Sequence, residues 1–180
     1  GVEGIISAIK FTREHKIPSL GLCYGMQLAV VEFSRDVAGL KGAHTTEVDK
    51  DTKYPVIDIM EDQKDKIKNN KLGGTMRLGT YPAILKPKTL AYKAYKTDKI
   101  SERHRHRFEV NPNYVERLSK AGMIFSGMSP DGQLCEIAEL PESVHPFFLA
   151  TQFHPEFKAR PLAPHPLFSA FVNASIRKKK

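Results

Sequence analysis

The segment Gly21-Leu22-Cys23-Tyr24-Gly25 constrains this chain more than any other. It follows the apolar run 17–22, which reads as a short buried strand, and it precedes residues 26–37, whose Leu, Ala, Val and Phe read as a helix. Strand, sharp turn and helix in that order form the cysteine version of the Gly-x-Ser-x-Gly elbow that presents a nucleophile. A side chain at the apex of such a turn takes strained backbone angles, and glycines two before and two after it let strand and helix pass closely. A thiol there lies at a helix N-terminus, where the dipole and N–H groups favour thiolate and can donate to a developing oxyanion. The alternative, a small buried apolar cysteine, does not account for glycines at both flanking positions.

A cysteine nucleophile needs a base. Among seven histidines, His154 lies in Gln152-Phe153-His154-Pro155-Glu156-Phe157, directly after the apolar run 147–150 and so at the end of an expected strand. Glu156 is two residues on, which in extended chain puts both side chains on one side. A carboxylate there can hold one imidazole nitrogen and leave the other for the thiol. His104 and His106 alternate with Arg103, Arg105 and Arg107, so a strand gives the imidazoles one face and the guanidiniums the other. Two histidines among three cations make a poor metal site; the arginines suit carboxylate or phosphate recognition, or an exposed basic edge strand. No metal site is expected. Residues 72–79 are glycine-rich but lack the Gly-Lys-Ser/Thr of a phosphate loop and read as turn chemistry. Cys135 sits in an alternating segment and reads as an ordinary strand residue.

Elsewhere the chain mixes both element types. Residues 1–16 carry Val2, Ile5, Ile6 and Ile9 at helical spacing, residues 113–121 read as a helix closed by Gly122, and Pro166 opens a last helix through Ala174. Strand-like runs fall at 54–60, 75–85, 107–110, 123–128, 134–140 and 147–153. The expected fold class is α/β, an open mixed, mostly parallel sheet flanked by helices. An α/β domain normally leads with a strand, so earlier strands of a longer polypeptide are expected before the helix at 1–16.

Length and composition fit one soluble domain: 180 residues, 41% apolar and 27% charged. No run of eighteen apolar residues and no signal-peptide pattern occurs, so no membrane partner is expected. Two cysteines are too few for a disulfide framework and fit a reducing, cytoplasmic setting. The net charge of +8 raises the question of an acidic partner. The lysines of 64–71 and 86–99 are interrupted by acids, have few aromatics beside them and match no nucleic-acid-binding pattern, so no nucleic acid is expected.

The cysteine turn together with His154-Pro155-Glu156 resembles the class I (triad) glutamine amidotransferases, with a flavodoxin-like core. Four blocks, 27–35, 73–79, 102–111 and 152–157, resemble one branch of that family and cover essentially the whole chain. For residues 1–180 the resemblance implies a glutaminase domain that hydrolyses L-glutamine to glutamate and ammonia. The ammonia would pass to an upstream synthetase domain, which aminates UTP to CTP with ATP and Mg2+; the glutaminase domain itself needs no cofactor. Homo-oligomers of the full-length protein are implied as well. Carried onto this sequence, the family pattern makes Cys23 the nucleophile, His154 the general base and acid, and Glu156 the group orienting His154. Gln27, Glu47 and Arg107 match positions that hold the α-amino and α-carboxylate ends of the substrate. The backbone N–H of Tyr24 would be an oxyanion donor, and the backbone of Phe108 would line the pocket. Tyr24 stands where leucine is usual in this branch, a change to which a backbone donor is indifferent. The second oxyanion donor of the family comes from a glycine-rich loop expected just before Gly1, so residues 1–180 alone are expected to be a poor glutaminase. The rivals are another class I amidotransferase, such as the glutaminase part of GMP synthetase, which would share the cysteine and histidine blocks only, and a binding module that keeps the fold without turnover.

Overall fold

The computed structural model describes residues 1–59 and 76–177. The expected lysine-rich loop at 64–71 and part of the glycine-rich block at 73–79 fall outside them. The chain opens with helix α1 (Val2–Glu14), strand β1 (Ser19–Leu22) and helix α2 (Tyr24–Asp36), the strand, turn and helix expected around Cys23. Two short strands follow, β2 (Ala43–Thr45) and β3 (Tyr54–Asp58). Next come β4 (Arg77–Leu85), the six-residue helix α3 (Leu90–Tyr95), β5 (Lys99–His106) and β6 (Glu109–Val110). Helix α4 (Pro112–Lys120) is followed by β7 (Ile124–Met128), β8 (Cys135–Glu139) and β9 (Phe148–Thr151). A 3-10 turn (Pro155–Phe157) and helix α5 (Pro166–Arg177) end the described chain.

A six-stranded sheet runs β1-β9-β8-β7-β4-β5, and a three-stranded sheet runs β2-β3-β6. The mixed α/β architecture is the expected one, but its parallel share is smaller: among the described residues only β1 with β9 and β2 with β3 pair parallel. The other pairings are antiparallel, and between β7 and β8 the connection is too short for a crossover.

Two apolar clusters cover the sheet. One packs α1, α2 and α4 over Phe125, Ala138, Phe148 and Ala150; the other packs α3 and α5 over Leu85, Ile137, Leu149 and Phe153. Both faces are therefore dry at the central strands, where every residue of β8 and β9 is buried. A polar group on these strands needs an internal partner. Glu139 finds three: it accepts from Leu90 N at 2.7 Å, Ala91 N at 3.0 Å and Ser126 Oγ at 2.8 Å, and so caps α3. Glu32, wholly buried on α2, takes the Arg13 guanidinium of α1 at 2.8 Å and clamps the two helices.

Candidate active site

Cys23 links the C-terminal end of β1 to the first turn of α2 at φ 50° and ψ −100°, an unfavourable region for a residue with a Cβ. Its N–H donates to Thr151 O at 2.7 Å and its carbonyl accepts from Met26 N at 3.0 Å, so the neighbouring strand and the helix both hold the bend. Gly21 permits it. A Cβ on Gly21 would lie 2.9 Å from the backbone of Gly25 and 3.1 Å from Ala150 Cβ, whereas one on Gly25 would meet nothing within 4 Å. Of the two flanking glycines, only the first is sterically required.

The thiol is not the pre-formed thiolate expected of a helix N-terminus. Burial pushes it up to about 11, outweighing the backbone N–H of Tyr24 and the Gln152 amide that favour the anion; the carboxylates of Glu156 and Glu109 also raise it. A half-buried sulfur beside two acids stays protonated until a base takes its proton.

His154 lies at the adjoining strand end. Leu22 pairs with Thr151 in the parallel β1–β9 register, so the chain leaving β9 passes beside the cysteine turn. Gln152 donates toward Cys23 Sγ at 3.8 Å. His154, two residues on, places Nδ1 at 2.6 Å from Glu156 Oε1 and stacks its ring on Phe157 with centroids 4.9 Å apart. A carboxylate only accepts, so Nδ1 donates to it, and in the neutral ring the lone pair lies on Nε2. Nε2 is buried with no hydrogen-bond partner among the described residues.

A cavity of about 410 Å³ opens over Cys23, walled by Tyr24, Gln27, Glu47, Arg107 and Phe108. The structure thus gathers every residue carried over for substrate binding around one cysteine; His154 and Glu156 lie outside this wall, on the β9 side. Glu47 is exposed and Arg107 half-buried. The wall therefore presents an acid and cations, Arg105 among them, to a volume suited to a small zwitterion. The Gln27 side chain is buried, donates to Phe108 O at 3.0 Å and leaves Oε1 without a partner.

Behind the pocket lies a cluster that sequence reading missed. His104 and His106 do share the inner face of β5 while Arg103 and Arg105 are exposed on this edge strand, as the alternation predicts. The inner face is not merely apolar. Arg77 bridges Glu109 at 3.1 Å and Glu136 at 2.8 Å, with its guanidinium 4.5 Å from the centroid of Tyr81. Gln152 was missed as well; its signal is the two-residue spacing to His154. Among the described residues no group of three or more His, Cys, Asp or Glu could hold a metal ion, and no helix is long and apolar enough to cross a membrane.

The family profile described as "Glutamine amidotransferase class-I" matches residues 1–174. The chain is similar to the CTP synthase of Rubrobacter xylanophilus, 58% identical over 98% of this chain and 31% of that protein. It is similar too to the CTP synthase of Methanocaldococcus jannaschii, 56% identical over 99% of this chain and 32% of that protein. The chain spans about a third of the length of these curated relatives. Among solved structures, the glutaminase domain of Trypanosoma brucei CTPS with bound acivicin superposes with a TM-score of 0.90 at 37% identity, covering 98% of this chain and 67% of that one. A putative GMP synthase subunit from Thermoplasma acidophilum shares the fold alone, with a TM-score of 0.61 at 15% identity over 98% of this chain and 66% of that one. The chain belongs to the class I glutamine amidotransferases and, among them, is of the CTP synthase glutaminase type.

Proposed function

We propose that this chain hydrolyses the side-chain amide of L-glutamine through a thioester on Cys23. The observation that carries the reading is the His154 imidazole, whose Nδ1 is engaged by Glu156 and whose buried Nε2 has no partner among the described residues, on the chain that leaves β9 beside a cysteine held in a strained turn. His154 Nε2 takes the Cys23 proton, the sulfur adds to the carboxamide carbon, and the Tyr24 N–H receives the oxyanion. His154 returns the proton to the amide nitrogen and ammonia departs, leaving a γ-glutamyl thioester. Water, deprotonated by the same nitrogen, cleaves it to glutamate and restores the thiol. Glu47 pairs the substrate's α-ammonium and Arg107 its α-carboxylate.

In the full-length protein the ammonia serves ATP- and Mg2+-dependent amination of UTP to CTP in an upstream synthetase domain. Similarity to CTP synthases along nearly the whole chain supports this. The same reading makes that protein a cytoplasmic homo-oligomer that binds neither nucleic acid nor membrane. On this reading a glycine-rich loop of the full-length protein supplies the second oxyanion donor. Removing one such donor typically costs about 10² to 10³ in rate. Restoring the upstream loop to residues 1–180 is therefore expected to raise glutamine turnover by that factor, and comparable turnover with and without it refutes the assignment.

Covalent chemistry tests the core of the reading. A glutamine-like electrophile such as acivicin, the compound bound to the Trypanosoma brucei domain, is expected to label Cys23 in the full-length protein and to leave Cys23→Ala unlabelled. Absence of labelling would favour a binding module that keeps the fold without turnover.

A further inference from the structure

The pocket wall at Arg107 and Phe108 is held by a hydrogen-bond chain that begins at His106, itself on the cavity wall, and runs inward, and its direction can be assigned atom by atom. The Phe108 carbonyl accepts from Gln27 Nε2 at 3.0 Å and faces His106 Nδ1 at 3.2 Å. A carbonyl cannot donate, so His106 carries its proton on Nδ1 and offers a lone pair at Nε2. His104 Nδ1 lies 2.9 Å from that lone pair and must donate to it, which leaves His104 Nε2 as an acceptor. Opposite His104 Nε2, at 3.6 Å, stands Glu136 Oε2, a buried oxygen with no hydrogen-bond partner. Two acceptors face each other at the dry end of the chain, an arrangement that only an added proton makes favourable.

Charge counting agrees. The groups around the two imidazoles are Arg77 and the Tyr81 ring from β4, Glu109 from β6, Glu136 from β8 and His154 beyond β9, and Asp131, between β7 and β8, adds its charge at Glu136. One guanidinium against two carboxylates leaves an excess negative charge in a site where Glu109 and Glu136 are almost wholly buried; one proton makes the site neutral. Burial lowers His104 to about 2 and His106 to about 3, with Arg77 adding to the effect, so the imidazoles stay neutral. Burial raises both carboxyls, Glu109 to about 8, so a proton in the cluster sits more readily on an acid than on an imidazole, and the geometry at His104 Nε2 places it beside Glu136.

We propose that His104, His106 and Glu136 are positioning residues for glutamine: a one-directional hydrogen-bond chain, closed by a proton shared at its buried end, fixes the Arg107–Phe108 wall of the pocket. This rests on the glutaminase reading above. Arg107 is flanked by His106 and by Phe108, whose carbonyl has both lone pairs engaged, so its backbone is pinned on both sides. Loss of the chain frees the wall and weakens binding, while Cys23, His154 and Glu156 keep their own contacts.

The test uses steady-state glutamine hydrolysis by the full-length protein. His106→Leu is expected to raise KM for glutamine about tenfold, the loss from one misplaced charge-binding group, with kcat changed less than about threefold. His106→Asn, whose amide can reproduce the Nδ1 donor, is expected to recover KM to within about threefold of wild type. Glu136→Gln can donate to His104 Nε2 without a titrating proton. The ratio of wild-type KM to Glu136→Gln KM is expected to rise at least about threefold as pH is raised and the wild-type proton is lost; the ratio cancels titration of the substrate's own amine. A KM for His106→Leu within twofold of wild type, no recovery in His106→Asn, or a pH-independent ratio each overturns the proposal. If wild type does not hydrolyse glutamine, the glutaminase reading fails first and takes the proposal with it; a hydrolysing wild type with unresponsive variants refutes the positioning role alone.

Discussion

Cys23→Ala is expected to lower glutamine hydrolysis by at least about 10⁴, the scale at which removal of a covalent nucleophile leaves only binding and oxyanion stabilisation. Ammonia-dependent CTP formation by the same full-length variant is expected to persist, since the synthetase chemistry needs ammonia and not its source. The substitution is informative because it changes so little else. Alanine also carries a Cβ at φ 50°, so the strain of the turn is retained, and the bonds from Cys23 N to Thr151 O and from Met26 N to Cys23 O involve backbone only. What disappears is the sulfur that Gln152 approaches at 3.8 Å. With the thiol raised to about 11, wild type cannot depend on a standing thiolate at neutral pH, so the rate requires both the sulfur and a base to ionise it on demand. Hydrolysis surviving in Cys23→Ala at more than about a hundredth of wild type would remove the thioester from the mechanism. Loss of ammonia-dependent synthesis as well would mean that the cysteine supports the structure rather than the reaction.

The nucleophile turn and the histidine–glutamate pair were legible because each is local. The turn is written in the spacing of Gly21, Cys23 and Gly25 between an apolar strand and a helix, and the pair in the two-residue step from His154 to Glu156. The buried charge cluster was not legible, for a reason visible in β8. Its sequence runs Cys135, Glu136, Ile137, Ala138 and Glu139, and carboxylates in a strand are ordinarily assigned to solvent. Here both faces of the sheet are covered by helices, so Glu136 and Glu139 are as buried as Cys135. What satisfies them comes from far along the chain: Arg77 from β4 reaches Glu136 across 59 positions, and the N-terminus of α3 reaches Glu139. A six-residue helix and a three-residue strand are also too short to show a period, which is why α3 and β2 escape sequence reading. Partners fixed only by strand order cannot be read from spacing; those fixed by a single turn can.

Gly21→Ala is expected to reduce glutamine turnover by about 10² and to destabilise the fold by about 1–3 kcal/mol, from one added methyl group that never touches substrate. The new Cβ would sit 2.9 Å from both the carbonyl carbon and the oxygen of Gly25 and 3.1 Å from Ala150 Cβ. None of these is the yielding end of a flexible side chain. Two belong to the first turn of α2 and the third to β9, so relief requires β1 to move away from the helix, from its parallel partner, or from both. Either motion is transmitted to the chemistry, because Cys23 follows β1 directly and its N–H is tied to Thr151, three residues before His154. A shift of the order of 1 Å between nucleophile and base is enough for a hundredfold loss. Gly25→Ala supplies the stability control: its Cβ meets open space within the helix, where alanine is favoured over glycine by up to about 1 kcal/mol, so its unfolding midpoint is expected to match or exceed wild type. Thermal unfolding and hydrolysis measured on the two variants decide the matter. If Gly21→Ala unfolds and turns over like wild type, the close approach of strand to helix does not hold the nucleophile in place, and the strain at Cys23 must be maintained by the Thr151 and Met26 contacts alone.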